Sequence, residues 1–423
     1  MHYRDYSPDE LYTELYSVRQ EYDGIKGMGL NLNMARGVPS ADQLALSLPM
    51  LDIMHHDVDC LAEDGTDCRN YGALDGIPEC KRLMAEMMGV RPEMVMIGGN
   101  SSLNMMFDTV ACFMNHPVVP GMPAWALIPN RKFLCPVPGY DRHFGITEYF
   151  GFEMIPVPMD ENGPDMDIVE ELVKDASVKG MWCVPKYSNP TGISYSDDVV
   201  RRIAALQPAA KDFRVMWDNA YCIHDLTDDH DEILNIFEEC EKTGNVDMPI
   251  EFCSTSKITF PGSGIAAMAA SENNMNIIKY KYKFQTIGYD KLNMLRHVRF
   301  FGDFEGMKAH MKKHAEVLRP RFDLVLSKLQ QLDDLDIVWH NCPKGGYFVS
   351  VNVMDGTAKR VVQLCKEAGV NLTGAGATYP YGNDPYDSNI RVAPSFPTLE
   401  DLSKAMDVFC VCTKLAALEK LTS

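Results

Sequence analysis

The feature that most constrains the fold is an alternation of apolar, β-type segments with helix-type patterns between about residues 75 and 270. Such alternation is typical of βαβ units, in which a helix connects two parallel strands. We therefore expect an α/β domain with a largely parallel sheet. The expected helices span 76–88, 101–114 and 165–177, and the expected strands span 94–97, 153–157, 180–184, 213–217 and 264–270.

The pattern changes after residue 290 into one long helical stretch through about 330, followed by a mixture of strands and helices. This change predicts a second, smaller α+β domain. The first fifty residues are too few to fold alone, so we expect them to pack on the smaller domain. The predicted units are 1–50, 51–290 and 291–423, with a ligand-binding cleft between the two domains.

Composition excludes several classes of function. The 423 residues, 46% of them hydrophobic, can bury a large core, and the net charge of −19 argues against a nucleic-acid partner. No apolar run approaches the roughly 20 residues that span a bilayer, and the start of the chain lacks a signal-peptide hydrophobic region. We therefore expect a cytoplasmic protein without a membrane partner. The thirteen cysteines lie in apolar segments and predict reduced thiols and no metal site.

The segment Ser254-Thr255-Ser256-Lys257 follows a predicted buried strand and precedes a constrained turn. Most lysines are solvated surface charges, and that is the alternative for Lys257. A lysine in a cleft, however, loses hydration, and its amine can then attack an aldehyde to form an imine. The neighbouring serines are candidates for holding a phosphate.

Two further segments place polar residues after strands. Asp218 ends the predicted strand 213–217, where it either caps the next segment or pairs with a protonated ring nitrogen of a cofactor. Asn189 opens Asn-Pro-Thr-Gly, which is in itself an ordinary turn sequence.

Three other features are ambiguous when taken alone. The loop Gly98-Gly99-Asn100-Ser101-Ser102 precedes a helix, so it is either a plain N-cap or an anion-binding turn. Tyr140 is either a rim residue or an aromatic plate for a cofactor ring. Arg391 stands in an apolar strand and needs an anionic partner, which is either an internal carboxylate or a substrate carboxylate.

Taken together, the order and spacing of these motifs resemble the class I/II aminotransferases of the fold-type I pyridoxal-phosphate superfamily. The resemblance covers nearly the whole chain, and the segments Leu134–Phe144 and Thr373–Thr378 are similar to the MocR-like aspartate aminotransferase branch. The chain has no room for the helix-turn-helix region of the regulators in that branch. The motifs that carry the resemblance are Arg36-Gly37-Val38-Pro39, Arg69-Asn70-Tyr71-Gly72, the glycine-serine loop, Tyr140, Asn189-Pro190, Asp218 with Tyr221, Ser254 to Lys257, and Arg391.

This resemblance implies that Lys257 forms an imine with pyridoxal 5′-phosphate and also acts as a general base. It further implies that Asp218 holds the ring nitrogen, that Asn189 and Tyr221 contact the ring oxygen, and that Tyr140 stacks on the ring. Candidates for the phosphate are Ser101, Ser102, Ser254 and Ser256. Candidates for the amino-acid substrate are Gly37, Asn189 and Arg391. The family has an arginine shortly after the lysine to bind the phosphate, but glycine stands there, at Gly264.

The resemblance also implies a homodimer, because the tyrosine that matches Tyr71 reaches the phosphate of the neighbouring subunit. The expected reaction is transamination between an amino acid, with aspartate preferred, and a 2-oxo acid. A second carboxylate would need a second cation, for which Lys344 and Arg296 are candidates, although either is also typical of a solvated surface charge. The alternatives are a β-lyase or decarboxylase that uses the same cofactor, and a sensor that binds the cofactor without turnover.

Overall fold

The computed structural model describes residues 2–56 and 58–423. Its α-helices are α1 (Pro8–Lys26), α2 (Ala41–Ala45), α3 (Pro78–Met88), α4 (Ser102–Asn115), α5 (Asp141–Tyr149), α6 (Met166–Leu172), α7 (Asp197–Ala204), α8 (Ile236–Thr243), α9 (Glu272–Gln285), α10 (Lys291–Phe301), α11 (Phe304–Leu329), α12 (Ala358–Glu367) and α13 (Leu399–Leu421). Its strands are β1 (Leu32–Asn33), β2 (Val95–Ile97), β3 (Lys132–Val137), β4 (Glu153–Asp160), β5 (Gly163–Pro164), β6 (Val178–Cys183), β7 (Arg214–Asp218), β8 (Pro249–Ser254), β9 (Ala266–Ala270), β10 (Val338–His340), β11 (Val349–Val353), β12 (Val370–Asn371) and β13 (Asn389–Val392).

The central sheet of the large domain joins strands in the order β2-β9-β8-β7-β6-β3-β4-β5. The neighbours from β8 through β7, β6 and β3 to β4 run parallel, whereas β2–β9, β9–β8 and β4–β5 are antiparallel. The strands β6, β7 and β8 are buried along their whole length, as expected for a parallel sheet with helices on both faces. The predicted α/β fold with a mostly parallel sheet is confirmed.

Successive residues of these strands point to opposite faces of the sheet and fill two separate apolar cores. Met181 belongs to the core that contains α3 and α7, whereas its neighbour Trp182 belongs to the core that contains α4. Leu134 and Phe133 divide in the same way. The sheet is therefore held rigidly from both sides, which fixes the positions of the loops at its edge.

The smaller unit is built on the antiparallel sheet β10-β11-β13. Side chains from α11, α12 and α13 share one apolar core with this sheet. Residues of α1, among them Leu11, Val18 and Tyr22, belong to the same core, and β1 pairs in parallel with β12. The start of the chain thus packs against the smaller domain.

Two helix predictions were wrong in their extent. The helix expected over 165–177 ends at Leu172, and the expected long helical stretch is two helices, α10 and α11, separated at Gly302. Gly302 has a φ of +75°, which L-residues rarely adopt, so the helix cannot continue through it. Within the described residues, no helix combines the length and apolar character needed to cross a membrane. All thirteen cysteines are free thiols.

Candidate active site

The sheet brings the predicted motifs to one edge. The parallel strands β7 and β8 pair along their length and end at Asp218 and Ser254 respectively. The carboxyl ends of neighbouring parallel strands lie at the same edge, where α/β sheets form ligand sites. Lys257 follows three residues after β8, so the lysine and the aspartate face the same space.

Lys257 is partly buried, and its Nζ lies 5.0 Å from the ring centroid of Tyr221 and 5.8 Å from that of Tyr347. Burial lowers the pKa of Lys257, while the carboxylate of Asp218 opposes the shift and Arg391 adds to it. A lysine with a lowered pKa is more often a neutral amine, which is the form that attacks an aldehyde carbon.

Asp218 offers one oxygen that is already bonded and one that is not. His143 lies with Nε2 2.9 Å from Oδ2 of Asp218, and both side chains are almost completely buried. The other oxygen, Oδ1, is buried and has no hydrogen-bond partner among the described residues. A buried carboxylate oxygen without a partner is costly, so this atom is suited to accept a hydrogen bond from a bound ligand.

His143 was not predicted to be a site residue, although it lies in the segment Leu134–Phe144, which carries part of the family resemblance. Its imidazole stacks on the indole of Trp182 with ring centroids 4.3 Å apart and planes 7° apart. The ring of Tyr140 meets the imidazole edge-on at 5.0 Å. Tyr140 precedes α5 and His143 lies in its first turn, so one helix start places both rings beside Asp218.

Tyr221 carries a buried phenol and Tyr140 a partly buried one. Burial raises the pKa of Tyr140 to about 12 and raises that of Tyr221 well above its ordinary value. Both phenols therefore stay protonated at neutral pH and can donate a hydrogen bond to a ligand oxygen.

The predicted phosphate residues lie close together in the fold. Ser254 donates its hydroxyl to Oγ of Ser256 at 3.1 Å, and Ser256 donates to the carbonyl oxygen of Asn100 at 3.1 Å. This contact joins the lysine loop to the glycine-serine loop before α4. Ser101 is the N-cap of α4 but its side chain makes no capping hydrogen bond, and Ser102 is the first helical residue. Hydroxyls and free N–H groups at a helix start are suited to bind an anion.

The packing around residue 264 explains why it is a glycine. A Cβ atom there would lie 2.9 Å from Oγ1 of Thr255 and 3.2 Å from the carbonyl oxygen of Phe260, so a side chain does not fit without a shift. Arg296 of α10 donates to the hydroxyl of Ser263 at 2.6 Å and to its carbonyl oxygen at 3.3 Å. The Nε atom of Arg296 is buried without a partner in the described chain. Arg296 is thus placed beside the loop that lacks the family arginine.

Arg391 has an internal anionic partner and an unused donor. Its Nη1 lies 3.1 Å from Oδ1 of Asp141 and 3.2 Å from Oδ1 of Asn189, and its Nη2 donates to Thr373 at 3.3 Å. Its Nε is buried and has no partner among the described residues. The guanidinium lies over the ring of Phe348, 4.8 Å from the centroid.

Gly37 contacts the same ring. A Cβ atom on Gly37 would come within 2.4 Å of Phe348, so only glycine permits this approach without moving the ring. Gly37, Phe348 and Arg391 therefore form one wall of the site.

The structure does not bring two of the predicted residues into this cluster. Lys344 has a side chain that is 43% exposed and forms ion pairs with Asp229 at 3.1 Å and Asp231 at 3.7 Å. Tyr71 is 81% exposed. Lys344 is thus a surface charge with partners in this chain, as the alternative in the sequence analysis anticipated.

Comparison with known proteins shows the family to which the chain belongs. The family model described as aspartate amino-transferase matches residues 6–423. The chain is 47% identical over 406 residues to an aspartate aminotransferase of Corynebacterium glutamicum, which covers 95% of this chain and 93% of the relative.

Solved structures show the same similarity. The crystal structure of an aspartate transaminase from Corynebacterium glutamicum superposes with a TM-score of 0.97 at 45% identity and covers 99% of each chain. The α-aminoadipate aminotransferase of Thermus thermophilus, at 20% identity and a TM-score of 0.75 over 92% of this chain and 93% of that chain, shares the fold. The protein is therefore an aminotransferase and belongs to the aspartate aminotransferase family.

Proposed function

We propose that the protein binds pyridoxal 5′-phosphate on Lys257 and transfers the amino group of aspartate to a 2-oxo acid. The observation that carries the proposal is the pairing, at one sheet edge, of a partly buried lysine of lowered pKa with a buried aspartate oxygen that has no partner among the described residues. When bound, this cofactor supplies an electron-withdrawing ring that stabilises negative charge on the substrate Cα and carries the amino group between the two substrates.

The residues of the site fit this cofactor. Asp218 would accept a hydrogen bond from the protonated ring nitrogen through Oδ1, its free oxygen. Tyr221 and Asn189 would contact the ring oxygen, and Tyr140 would pack on the ring. Ser101, Ser102, Ser254 and Ser256 would hold the phosphate, and Arg296 would support the phosphate loop from α10.

Lys257 has two roles in this proposal. Its amine would hold the cofactor, and as a free amine it would take a proton from the substrate Cα and return one. Burial lowers the pKa of Lys257, which favours the neutral amine that these roles need. Arg391 binds the substrate α-carboxylate, which fixes the Cα within reach of the lysine.

The proposed preference for aspartate rests on the 47% identity to the aspartate aminotransferase of Corynebacterium glutamicum. A second carboxylate needs a second cation in the site. Of the two candidates from the sequence, Lys344 is held by two surface aspartates, so Arg296, with its unpartnered Nε, is the better one.

Incubation with a panel of amino acids and 2-oxoglutarate tests the reaction. Transamination yields an oxo acid and glutamate in equal amounts, a β-lyase yields ammonia, a decarboxylase yields carbon dioxide, and a sensor yields no product. Lys257→Ala should abolish the glutamate, whereas Lys404→Ala, which removes an exposed lysine, should not. Borohydride reduction should attach the cofactor to Lys257, and attachment elsewhere would refute the assignment. Preference for leucine over aspartate would refute the substrate.

We further propose a homodimer with shared sites, and a cytoplasmic location. The exposed phenol of Tyr71 is free to reach a neighbouring subunit, and the thirteen free thiols fit a reducing compartment. Mixing inactive Tyr71→Ala and Lys257→Ala chains should restore activity, because in a mixed dimer one site retains both residues. An active species that sediments as a monomer would overturn the shared-site proposal.

A further inference from the structure

Behind Lys257 lies a buried polar cluster that the reaction as described does not use. It consists of Gln43, His310, His314 and Tyr347, each at most 5% exposed. These side chains come from three separate parts of the chain, namely α2, α11 and the loop before β11. Buried polar groups are normally hydrogen-bonded, and these four side chains contact one another through their polar atoms.

The orientation of Gln43 is fixed by the backbone. The N–H of Ser40 donates to Oε1 of Gln43 at 3.1 Å, so the other end of the amide must be the nitrogen. That nitrogen donates one proton to the phenol oxygen of Tyr347 at 2.7 Å and lies 3.1 Å from Nδ1 of His314. Because the amide nitrogen is only a donor, Nδ1 of His314 must accept, and a neutral His314 carries its proton on Nε2.

Both branches from Gln43 lead to the backbone of the lysine turn. Tyr347, which accepts from Gln43, donates its own proton to the carbonyl oxygen of Lys257 at 3.3 Å. On the other branch, Nε2 of His314 faces Nε2 of His310 at 3.1 Å, and that nitrogen lies 3.0 Å from the carbonyl oxygen of Ile258. Because Nε2–H of His314 donates to Nε2 of His310, that nitrogen has no proton for the carbonyl oxygen of Ile258, which accepts instead from the hydroxyl of Ser47 at 3.4 Å. The network therefore bonds the carbonyl group of Lys257 through Tyr347 and packs His310 against that of Ile258.

The network also connects the lysine to the wall that contains Arg391. Gln43 lies six residues after Gly37, which contacts the ring of Phe348, and Phe348 directly follows Tyr347 in the chain. Tyr347 faces Lys257 while Phe348 lies under the guanidinium of Arg391. The distance between the reactive amine and the carboxylate-binding group therefore depends on this pair of neighbouring residues.

We propose that Gln43, His314 and Tyr347 are positioning residues that hold Lys257 in register with the Arg391 wall. This inference rests on the proposed function, since it assumes that Lys257 and Arg391 act on one substrate. None of the three needs to exchange a proton with the substrate; His314 orients Gln43, Gln43 orients the phenol of Tyr347, and Tyr347 donates to the carbonyl oxygen of Lys257.

The two histidines suit a fixed network because they stay neutral. Burial lowers the pKa of His314 to about 4, with the neighbouring His310 as a second cause, and burial also lowers the pKa of His310. A second proton on His310 would meet the N–H of His314, and a second proton on His314 would meet the amide N–H of Gln43. With both rings neutral, His314 can accept from Gln43 and donate to His310.

The test compares holoenzyme variants. His314→Leu removes the polar ring at similar volume, His314→Gln restores an amide that can donate, Gln43→Leu breaks both branches, and Tyr347→Phe removes only the hydroxyl. Leu318→Ala is the matched control, because it removes apolar packing one turn further along α11 but none of the side-chain hydrogen bonds of the network. The readouts are kcat and KM for aspartate, and the pH midpoint of the visible absorption band of the bound cofactor.

We expect His314→Leu and Gln43→Leu each to lower kcat by about 10- to 100-fold, since small misplacements of a reacting group have effects of this size. They should also shift the pH midpoint, and His314→Gln should recover most of both losses. The double variant with both His314→Leu and Gln43→Leu should have a kcat no lower than that of the weaker single variant, because both substitutions break the same network. If His314→Leu fails to fold, Tyr347→Phe gives the same comparison.

Two results would overturn the inference: variants whose kcat and pH midpoint match those of Leu318→Ala, or losses that add in the double variant. The first would mean that the cluster serves only stability, and the second that Gln43 and His314 act independently of each other. Both presuppose an active wild-type enzyme. A wild-type protein without transaminase activity would instead refute the proposed function, so the two failures are distinguishable.

Discussion

Replacement of His143 by leucine tests whether the orientation of Asp218 matters for cofactor binding. His143 is the residue that bonds the carboxylate of Asp218, at 2.9 Å, and both side chains are at most 3% exposed. Leucine fills much of the volume of the imidazole but cannot donate a hydrogen bond. In the variant, Oδ2 of Asp218 loses its hydrogen bond to His143, and Oδ1 already lacks a partner among the described residues.

The size of the effect follows from the kind of hydrogen bond. A bond to a buried charged group contributes about 1.5–3 kcal/mol, which corresponds to a factor of roughly 10–100 in an equilibrium constant. We expect the dissociation constant for pyridoxal phosphate to rise by this factor in His143→Leu. The activity at saturating cofactor should also fall, because Asp218 is no longer held towards the ring nitrogen. His143→Gln, whose amide can donate, should recover part of the loss.

Equilibrium dialysis with the cofactor measures the dissociation constant, and urea unfolding of the cofactor-free protein measures the loss of stability. Thr147→Val is the matched control. Thr147 lies in α5, accepts from the indole of Trp182 at 2.8 Å and donates to the carbonyl of His143 at 2.7 Å, so its loss removes buried hydrogen bonds without touching Asp218. If His143→Leu and Thr147→Val bind the cofactor equally well, the positioning role of His143 is refuted.

Three other substitutions have defined outcomes. Burial raises the pKa of Glu251 to about 8 from 4.5, so between these values the unfolded chain loses a proton that the folded chain keeps, and the free energy of unfolding falls as pH rises. Glu251→Gln, which can still accept a hydrogen bond from Asn219, should remove this fall. Its free energy of unfolding in urea should exceed that of the wild type by roughly 3–5 kcal/mol at pH 8. A gain in stability that does not depend on pH would contradict the reasoning. Gly37→Ala should displace Phe348 and raise KM for aspartate by roughly tenfold in steady-state assays, whereas an unchanged KM would show that the ring moves freely. Lys344→Ala should change kcat/KM for aspartate by less than about twofold because an exposed ion pair contributes little, and a loss of several kcal/mol would restore Lys344 as a substrate ligand.

The fold was predictable because its strands are short apolar runs separated by helix patterns. β2, β4, β6, β7 and β9 were all expected close to where they lie. The strand β3 was not recognised, although it lies between β6 and β4 in the sheet. It contains Pro136, which cannot donate a ladder hydrogen bond, but β4 was expected although it contains Pro156, so proline alone does not account for the omission.

The cluster at the sheet edge was predictable for a similar reason. Asp218 ends β7, and Lys257 and Asn189 lie three and six residues after β8 and β6. The topology of a parallel sheet therefore brings them together once the strands are found. The residues around them could not be found in this way. Gln43 and His314 are 271 residues apart and meet only in the folded chain, and His143 meets Asp218 across 75 residues. No local spacing encodes such contacts.

Arg391 shows how a question that the sequence leaves open is answered by geometry. The sequence allowed either an internal carboxylate or a substrate carboxylate as its partner, and the structure contains the first without excluding the second. Asp141 is 34% exposed whereas Arg391 is 8% exposed, so the aspartate can return to water more easily than the arginine can. In the proposed reaction an arriving carboxylate would exchange with Asp141, and Nε, which has no partner among the described residues, would supply a further donor. Because one carboxylate replaces another, the guanidinium is never left without a counter-charge, which avoids the several kcal/mol that an unpaired buried charge costs.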